Sequence, residues 1–263
     1  MSATITVITL TRNRPELLRR AMASVQSQVC RQEIEHLVLI DDCPATADML
    51  SGEDLPDYVA WRLMERGPDD RSGPGRSSRL RNFGVQHSQS RWIAFLDDDN
   101  AWEPDHLQGL VDCALETGCR AVHSHVQAFN PDGTPYLEPL FPWSRDPEEA
   151  REKYWEMVRK KVFTPGSNVF KDRADPLGHP DPVRSVDTGA WLLTRELLIE
   201  VPFTDEFFPE DHENVTGEDD KLLAALIAKG EPIACNHKPT LIYYLGGYSN
   251  NFQEQYDDTF AWE

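Results

Sequence analysis

Three consecutive aspartates and an asparagine, Asp97-Asp98-Asp99-Asn100, follow directly on the apolar run WIAFL. Carboxylates this close repel one another unless a cation sits among them, and hard divalent ions take carboxylate oxygens together with ligand phosphates. The chemistry they suit is metal-assisted handling of a nucleotide. A solvated acidic turn that caps the next helix would use the same residues, but open α/β sheets bind their ligands just beyond the carboxyl ends of buried strands. A second constellation, Arg79-Leu80-Arg81-Asn82-Phe83-Gly84, offers guanidinium forks for phosphate oxygens and an amide for a base or sugar. In isolation it reads equally as a solvated helix face. The third, Gly217-Glu218-Asp219-Asp220, precedes the apolar stretch KLLAALIAK. The helix dipole favours acids in a first turn by itself, and a carboxylate beside a metal-nucleotide site can also take a proton from an attacking hydroxyl.

The elements that must position these groups follow from hydrophobic pattern. Ile5 to Thr11 reads as a buried strand, and Pro15 opens a helix whose Leu17, Leu18, Ala21, Met22 and Val25 share one face. His36 to Ile40 reads as a second strand ending at Asp41 and Asp42, and Arg91 to Leu96 as a third ending at Asp97. A helix after Pro104 stops at Gly118, and strand character resumes in CRAVHSHVQAF. This βαβ(α)βαβ order predicts an α/β fold with a largely parallel central sheet and helices on both faces. Residues 66–79 read as an exposed flexible loop. Between 130 and 186 the alternation breaks into Pro-rich turns and one helix, Asp146 to Lys161, an insertion expected on the acceptor side. Its Trp143, Tyr154, Trp155 and Phe163 suggest an acceptor wall, and its Gly-Pro loop over 163–182 a lid. A helix then runs from Glu218 to Gly230, and a Tyr-rich strand and GGYSNN close the regular structure.

Composition narrows the classes further. With 263 residues, 40% of them hydrophobic, the chain is neither disordered nor of low complexity. Its 45 acidic and 26 basic residues leave a net charge of −19, which argues against nucleic acid as a partner. The five cysteines include no CxxC pair, which argues against a disulfide framework or a thiolate zinc site and fits a reducing compartment. No run reaches the roughly 18 apolar residues of a membrane span. The expectation is a cytoplasmic protein with no integral membrane contact. His123 and His125 would share one face of a strand, which permits metal binding, and are read as structural or acceptor-side.

Taken in order, ITVITLTRNRPELLRRAMASV, LVLIDD, RLRNFG followed by WIAFLDDDN, VDTGAWLLTRELL, GEDDKLLAAL and LIYYLGGYSNN resemble the inverting family 2 glycosyltransferases of the GT-A fold over most of the chain. The resemblance implies one domain over 1–263, with 1–125 as the nucleotide-sugar half and 126–263 as the acceptor and catalytic-base half. It further implies that Thr11 and Asn13 line the base pocket, that Asp41 hydrogen-bonds the base, and that Arg81 and Asn82 lie near nucleoside and phosphates. Asp97 and Asp98 would serve the nucleotide, with Asp97 on the ribose side, and Asp99 would bind Mg2+ or Mn2+. Asp219 would be the general base, supported by Glu218. In some relatives a histidine adds a metal ligand, a role that would fall to His237. The donor implied is a nucleoside-diphosphate sugar, a UDP-sugar first, and the acceptor a small molecule or glycan.

Two rivals remain open. A sugar-1-phosphate nucleotidyltransferase would be expected to carry a Gly-rich basic loop after its first strand, whereas Thr11-Arg12-Asn13-Arg14-Pro15 has no glycine. A non-catalytic nucleotide-sugar-binding module would have no use for both Asp99 and Asp219.

Overall fold

The fold is described from a computed structural model covering residues 4–247, apart from 68, 69, 71, 72, 145 and 215 and the side chains of 212 and 213. The end of the predicted GGYSNN tail, from Tyr248 on, lies outside the described residues. The first half alternates as its pattern requires: β1 (Ile5–Thr11), α1 (Pro15–Gln26), β2 (Ile34–Asp41), α2 (Pro44–Ser51), β3 (Val59–Met64), α3 (Pro74–His87) and β4 (Trp92–Phe95). After the short β5 (Ala101–Trp102) come α4 (His106–Thr117) and the long β6 (Ala121–Phe129). The insertion holds α5 (Pro147–Arg159), β7 (Val169–Phe170), β8 (Arg173–Ala174) and β9 (Arg184–Ser185). The chain then forms β10 (Trp191–Thr194), α6 (Arg195–Glu200), α7 (Pro209–Glu213), α8 (Glu218–Lys229) and β11 (Ile233–Tyr244).

The main sheet runs β3-β2-β1-β4-β10-β6-β11-β5, with β7 added on β6. Strands β3, β2, β1 and β4 are parallel, as are β6 and β11, while β10 lies antiparallel between β4 and β6. The sheet is therefore mixed but mostly parallel, as expected, and the second half of the sequence supplies three of its strands, β7, β10 and β11. Because β1, β2 and β4 are parallel, Thr11, Asp41 and Asp97 all emerge at one edge. The strands that deliver them are rooted in the core: Ile5, Val7, Val38, Leu39, Ile93, Ala94 and Phe95 have no exposed surface. A side chain at such an end is held by a rigid core, so its position is set to within the tolerance of the packing.

Three local expectations change. The loop expected over 66–79 contains the start of α3, because Pro74 can open a helix without losing a hydrogen bond. Arg76 and Ser78 are consequently buried. Strand β3, an edge strand with alternating half-buried residues, was not expected. The aromatic insertion packs inward: Tyr154, Phe163 and Phe170 are each 5% exposed. Phe163 lies 4.3 Å from the Phe170 ring, and Trp143 reaches Tyr243 at 5.7 Å. These rings meet one another and the sheet, so the acceptor wall read from them is replaced by a local core. Trp155 stays 45% exposed.

Candidate active site

Three acids of one turn have three different surroundings. Asp97 accepts from Arg81 Nη2 at 2.8 Å and remains partly open. Asp98 points into the core with no exposed surface and faces Arg14 Nη2 at 2.7 Å. Asp99 pairs with Arg14 Nη1 at 2.8 Å, and its carbonyl accepts from Arg20, whose guanidinium covers the Tyr244 ring. Asn100 is buried and takes the Tyr244 N–H at 3.2 Å, fastening the end of β11 to the turn. Gly247 then passes so close to Asp99 that a Cβ there would come within 2.6 Å of Oδ2.

The second part of the site comes from the far end of the sequence. The N-terminus of α8 carries three acids, and each is used differently. Glu218 pairs with Arg81. Asp220 accepts the Gly217 N–H at 2.9 Å and so caps the helix. Asp219 accepts the Asp220 N–H at 2.9 Å and faces the cluster. Gly217 permits this, because a Cβ at that position would sit 2.5 Å from Asp219 Oδ1. Arg81 is thus the joint. It is 4% exposed, and its guanidinium holds Asp97 on one side and Glu218 on the other. Burial alone would weaken its charge, but Glu218 and Asp97 more than offset this and keep it firmly protonated.

Asp187 completes the group, and the sequence reading did not single it out. It begins a single turn over Thr188–Ala190, where its Oδ1 accepts the Gly189 N–H at 2.7 Å. Burial, and then the charge of Asp97, lift its pKa to about 7 against that hydrogen bond. Asp219 is pushed well above the ordinary carboxylate range by burial and by Asp220, Glu218 and Asp187. Asp98 and Asp99 are raised as well, by burial first, with Arg14 opposing. The shared first cause is burial, and neighbouring carboxylates add to it.

Thr11 is buried beside Asp98 at the end of β1. Asn13 is exposed with φ +52°, and its backbone N–H points to the Cys43 thiol. Asp41 is held between Arg66 and Arg76, with the Arg76 Nε at 2.9 Å. Burial would raise its pKa, but the bonds and charges of Arg66 and Arg76 outweigh it and keep the group below its ordinary value. Asn82 follows Arg81 on α3 with its amide engaged at both ends. Its Nδ2 donates to the Phe203 carbonyl at 2.7 Å and its Oδ1 accepts the Phe203 N–H at 3.0 Å, so the amide braces α3 against the chain before α7. His237 sits in a bulge of β11 at φ +58°, its ring 5.7 Å from that of His125.

Arg14 and Arg20 were missed with Asp187. The signal was present in RNRPELLRR, a basic stretch directly after a strand whose edge carries acids. A shallow depression lined by Gln89, Ser90, Arg91, Arg120, Thr194 and Arg195 opens where β4 begins, at the opposite edge of the sheet from this cluster.

The carboxylates fit a hard divalent ion by donor chemistry and by charge. Asp97 and Asp99 offer oxygen ligands beside Asp187 and Asp219, whose pKa values are raised by burial first and by neighbouring carboxylates second.

The profile of Glycosyl transferase family 2 matches residues 6–175. Succinoglycan biosynthesis protein ExoW of Rhizobium meliloti (strain 1021) is 36% identical over 110 residues, covering 41% of this chain and 32% of its own length. The chain spans about a third of the length of such curated relatives. Among solved structures, S. aureus TarS 1-349 in complex with UDP-GlcNAc superposes with a TM-score of 0.57 at 14% identity, over 92% of this chain and 58% of that one. The mannosyltransferase PcManGT from Pyrobaculum calidifontis, in complex with GDP-Man and Mn2+, gives 0.58 at 13% identity over 95% of this chain and 59% of its own. At such identities the likeness is one of fold.

Proposed function

The chain belongs to glycosyl transferase family 2, and from that membership we propose that it moves a sugar from a nucleoside-diphosphate sugar to an acceptor hydroxyl with inversion, Asp219 acting as general base. The observation that carries this reading is the Arg81 joint. One buried guanidinium binds the strand-end acid of the expected nucleotide half, Asp97, and the neighbour of the base, Glu218. It fixes the distance between a leaving-group site and a proton acceptor, which an in-line displacement requires. Glu218 is then a positioning residue acting through Arg81. Asp219, its proton affinity raised by burial and then by Asp220, Glu218 and Asp187, is the group suited to accept the proton.

Asp99, with Asp97 beside it, would hold Mg2+ or Mn2+, which when bound stabilises the negative charge of the departing diphosphate. Thr11, Asn13 and Asp41, at the ends of β1 and β2, would frame the nucleoside, and Asp98 would support the turn from within. The donor we favour is a UDP-sugar, in line with the UDP-GlcNAc held by TarS, although PcManGT holds GDP-Man. Residues 126–263 would receive a small-molecule or glycan acceptor.

Incubating the chain with a panel of nucleotide sugars and Mn2+ or Mg2+, without acceptor, tests the reading. Slow release of free nucleoside diphosphate from one of them is expected and names the donor. Pyrophosphate released from a nucleoside triphosphate and a sugar 1-phosphate would make the chain a nucleotidyltransferase instead. Tight binding with no release from any donor, even after acceptors are supplied, would make it a binding module.

A further inference from the structure

A second, chemically different cluster adjoins the aspartates through the buried Asp172, whose carboxylate accepts the Asp187 N–H at 2.9 Å and whose charge also acts on Cys235. His123 and His125 are two residues apart in β6 and therefore on one face of the sheet. Cys235 is paired with His123 in the parallel β6/β11 register, which brings its thiol to that same face. Among the described residues, ligand atoms of these three side chains all lie within 4.8 Å of one another. The Cys235 Sγ is 3.7 Å from His125 Nδ1 and 3.9 Å from Nε2. A tetrahedral ion with metal–nitrogen and metal–sulfur bonds of about 2.0 and 2.3 Å sets its ligands about 3.5 Å apart, so the spacing needs little change.

The surroundings prepare these groups as ligands. His123 Nδ1 lies 2.9 Å from the Ser124 carbonyl. It must donate its proton there, which leaves the Nε2 lone pair for a metal, the arrangement that orients most ligating histidines. Burial keeps both imidazoles neutral, with pKa values lowered to about 4. Burial pushes the Cys235 thiol up to about 11, partly offset by the backbone N–H of His237, which donates to its Sγ at 3.3 Å. That bond exists because β11 bulges between Cys235 and Pro239 and His237 takes φ +58°, a conformation that costs a non-glycine residue energy. The same bulge puts the exposed His237 ring 5.7 Å from His125, on the open side of the cluster.

We propose that His123, His125 and Cys235 bind one borderline-soft divalent ion of the zinc class, with His237 closing the fourth position from the solvent side. The donor set, three nitrogens and a sulfur, selects against the Mg2+ or Mn2+ suited to the aspartates. Binding converts the Cys235 thiol to thiolate and releases its proton to solvent. The ion would pin β11 to β6 where their register is broken, and this holds whichever reaction the aspartate site performs.

Cobalt titration of the full chain, stripped by chelator, tests it without reference to activity. One equivalent of Co2+ should give visible bands of a tetrahedral ion and a thiolate-to-cobalt charge-transfer band, both removed by Zn2+. Cys235→Ser should abolish the charge-transfer band while far-ultraviolet circular dichroism shows the fold retained, and His125→Asn should weaken binding at least about tenfold. His237→Ala should weaken it less, and Asp99→Asn should leave the spectrum unchanged. A wild-type chain that yields no charge-transfer band, or a Cys235→Ser chain that keeps it, would overturn the assignment. So would a spectrum lost in Asp99→Asn.

Discussion

The carboxyl ends of β2 and β4 lie on one edge of one sheet, and both carry aspartates, yet they are electrostatic opposites. At the end of β2, Asp41 sits between Arg66 and Arg76 and its pKa is lowered. At the end of β4, Asp97, Asp98 and Asp99 meet Asp187 and Asp219, and burial, then mutual repulsion, raises the pKa values of Asp98, Asp99, Asp187 and Asp219. The first is a finished ion pair. The second holds unrelieved negative charge in a fixed frame, the condition of a site that gains stability when a cation arrives. Strand ends supply position, and the balance of charge around them decides which become chemical.

The largest test of this contrast falls on the base. Asp219→Asn keeps the shape of the α8 turn and removes only the proton acceptor, so turnover should fall on the order of 10²–10⁴, with donor affinity by calorimetry little changed. A collapse of donor affinity would move Asp219 into the nucleotide site. Arg81→Met should cost about 3–5 kcal/mol of stability by leaving the buried acids unpaired, read as a lowered denaturation midpoint. An unchanged midpoint would show that Asp97 and Glu218 are held apart from Arg81.

Asp99→Asn should reduce metal-dependent turnover by several kcal/mol of lost charge stabilisation, roughly 10²-fold or more, and weaken nucleotide binding in the presence of metal. Wild-type metal titration in this variant would end the assignment. Asp41→Asn should be milder, about 1–3 kcal/mol in stability, with turnover changed only a few-fold. A turnover loss as large as that of Asp99→Asn would erase the distinction between the two ends.

The smallest effect is one of pH. A carboxyl whose folded-state pKa is raised binds more protons folded than unfolded, so its contribution to stability is present below the unfolded value and lost as pH rises through the folded one. For Asp187 the window runs from 3.8 to about 7. Metal-free protein should lose stability across that range, and Mg2+ or Mn2+ should restore more of it at the upper end than at the lower. Midpoints that rise with pH in this window without metal would contradict the crowding of charge at β4.

Much of the frame could be read from the chain by itself. Period-2 and period-3.6 apolar patterns and the positions of Pro15, Gly118 and Gly230 set β1, α1, α4 and α8 nearly residue for residue, because local propensity and burial agree there. Strand β3 and the start of α3 were less legible. Their residues are half-buried or polar, and Arg76 looks solvated until Asp41, 35 residues away, takes its guanidinium.

The sequence thus determined which acids stand at strand ends and at a helix start, since those positions depend on a few neighbouring residues. Tertiary structure decided their partners. Arg81 reaching Glu218 across 137 positions, Asp187 entering the cluster, and Asn82 turning to Phe203 all depend on contacts between distant segments. The cysteine spacing, without a CxxC pair, argued against a thiolate metal site, but the pairing of β6 with β11 set Cys235 beside His123 and His125. Local pattern fixes where a side chain leaves the backbone, whereas its charge, protonation and ligand are set by whatever the fold brings within a few ångströms.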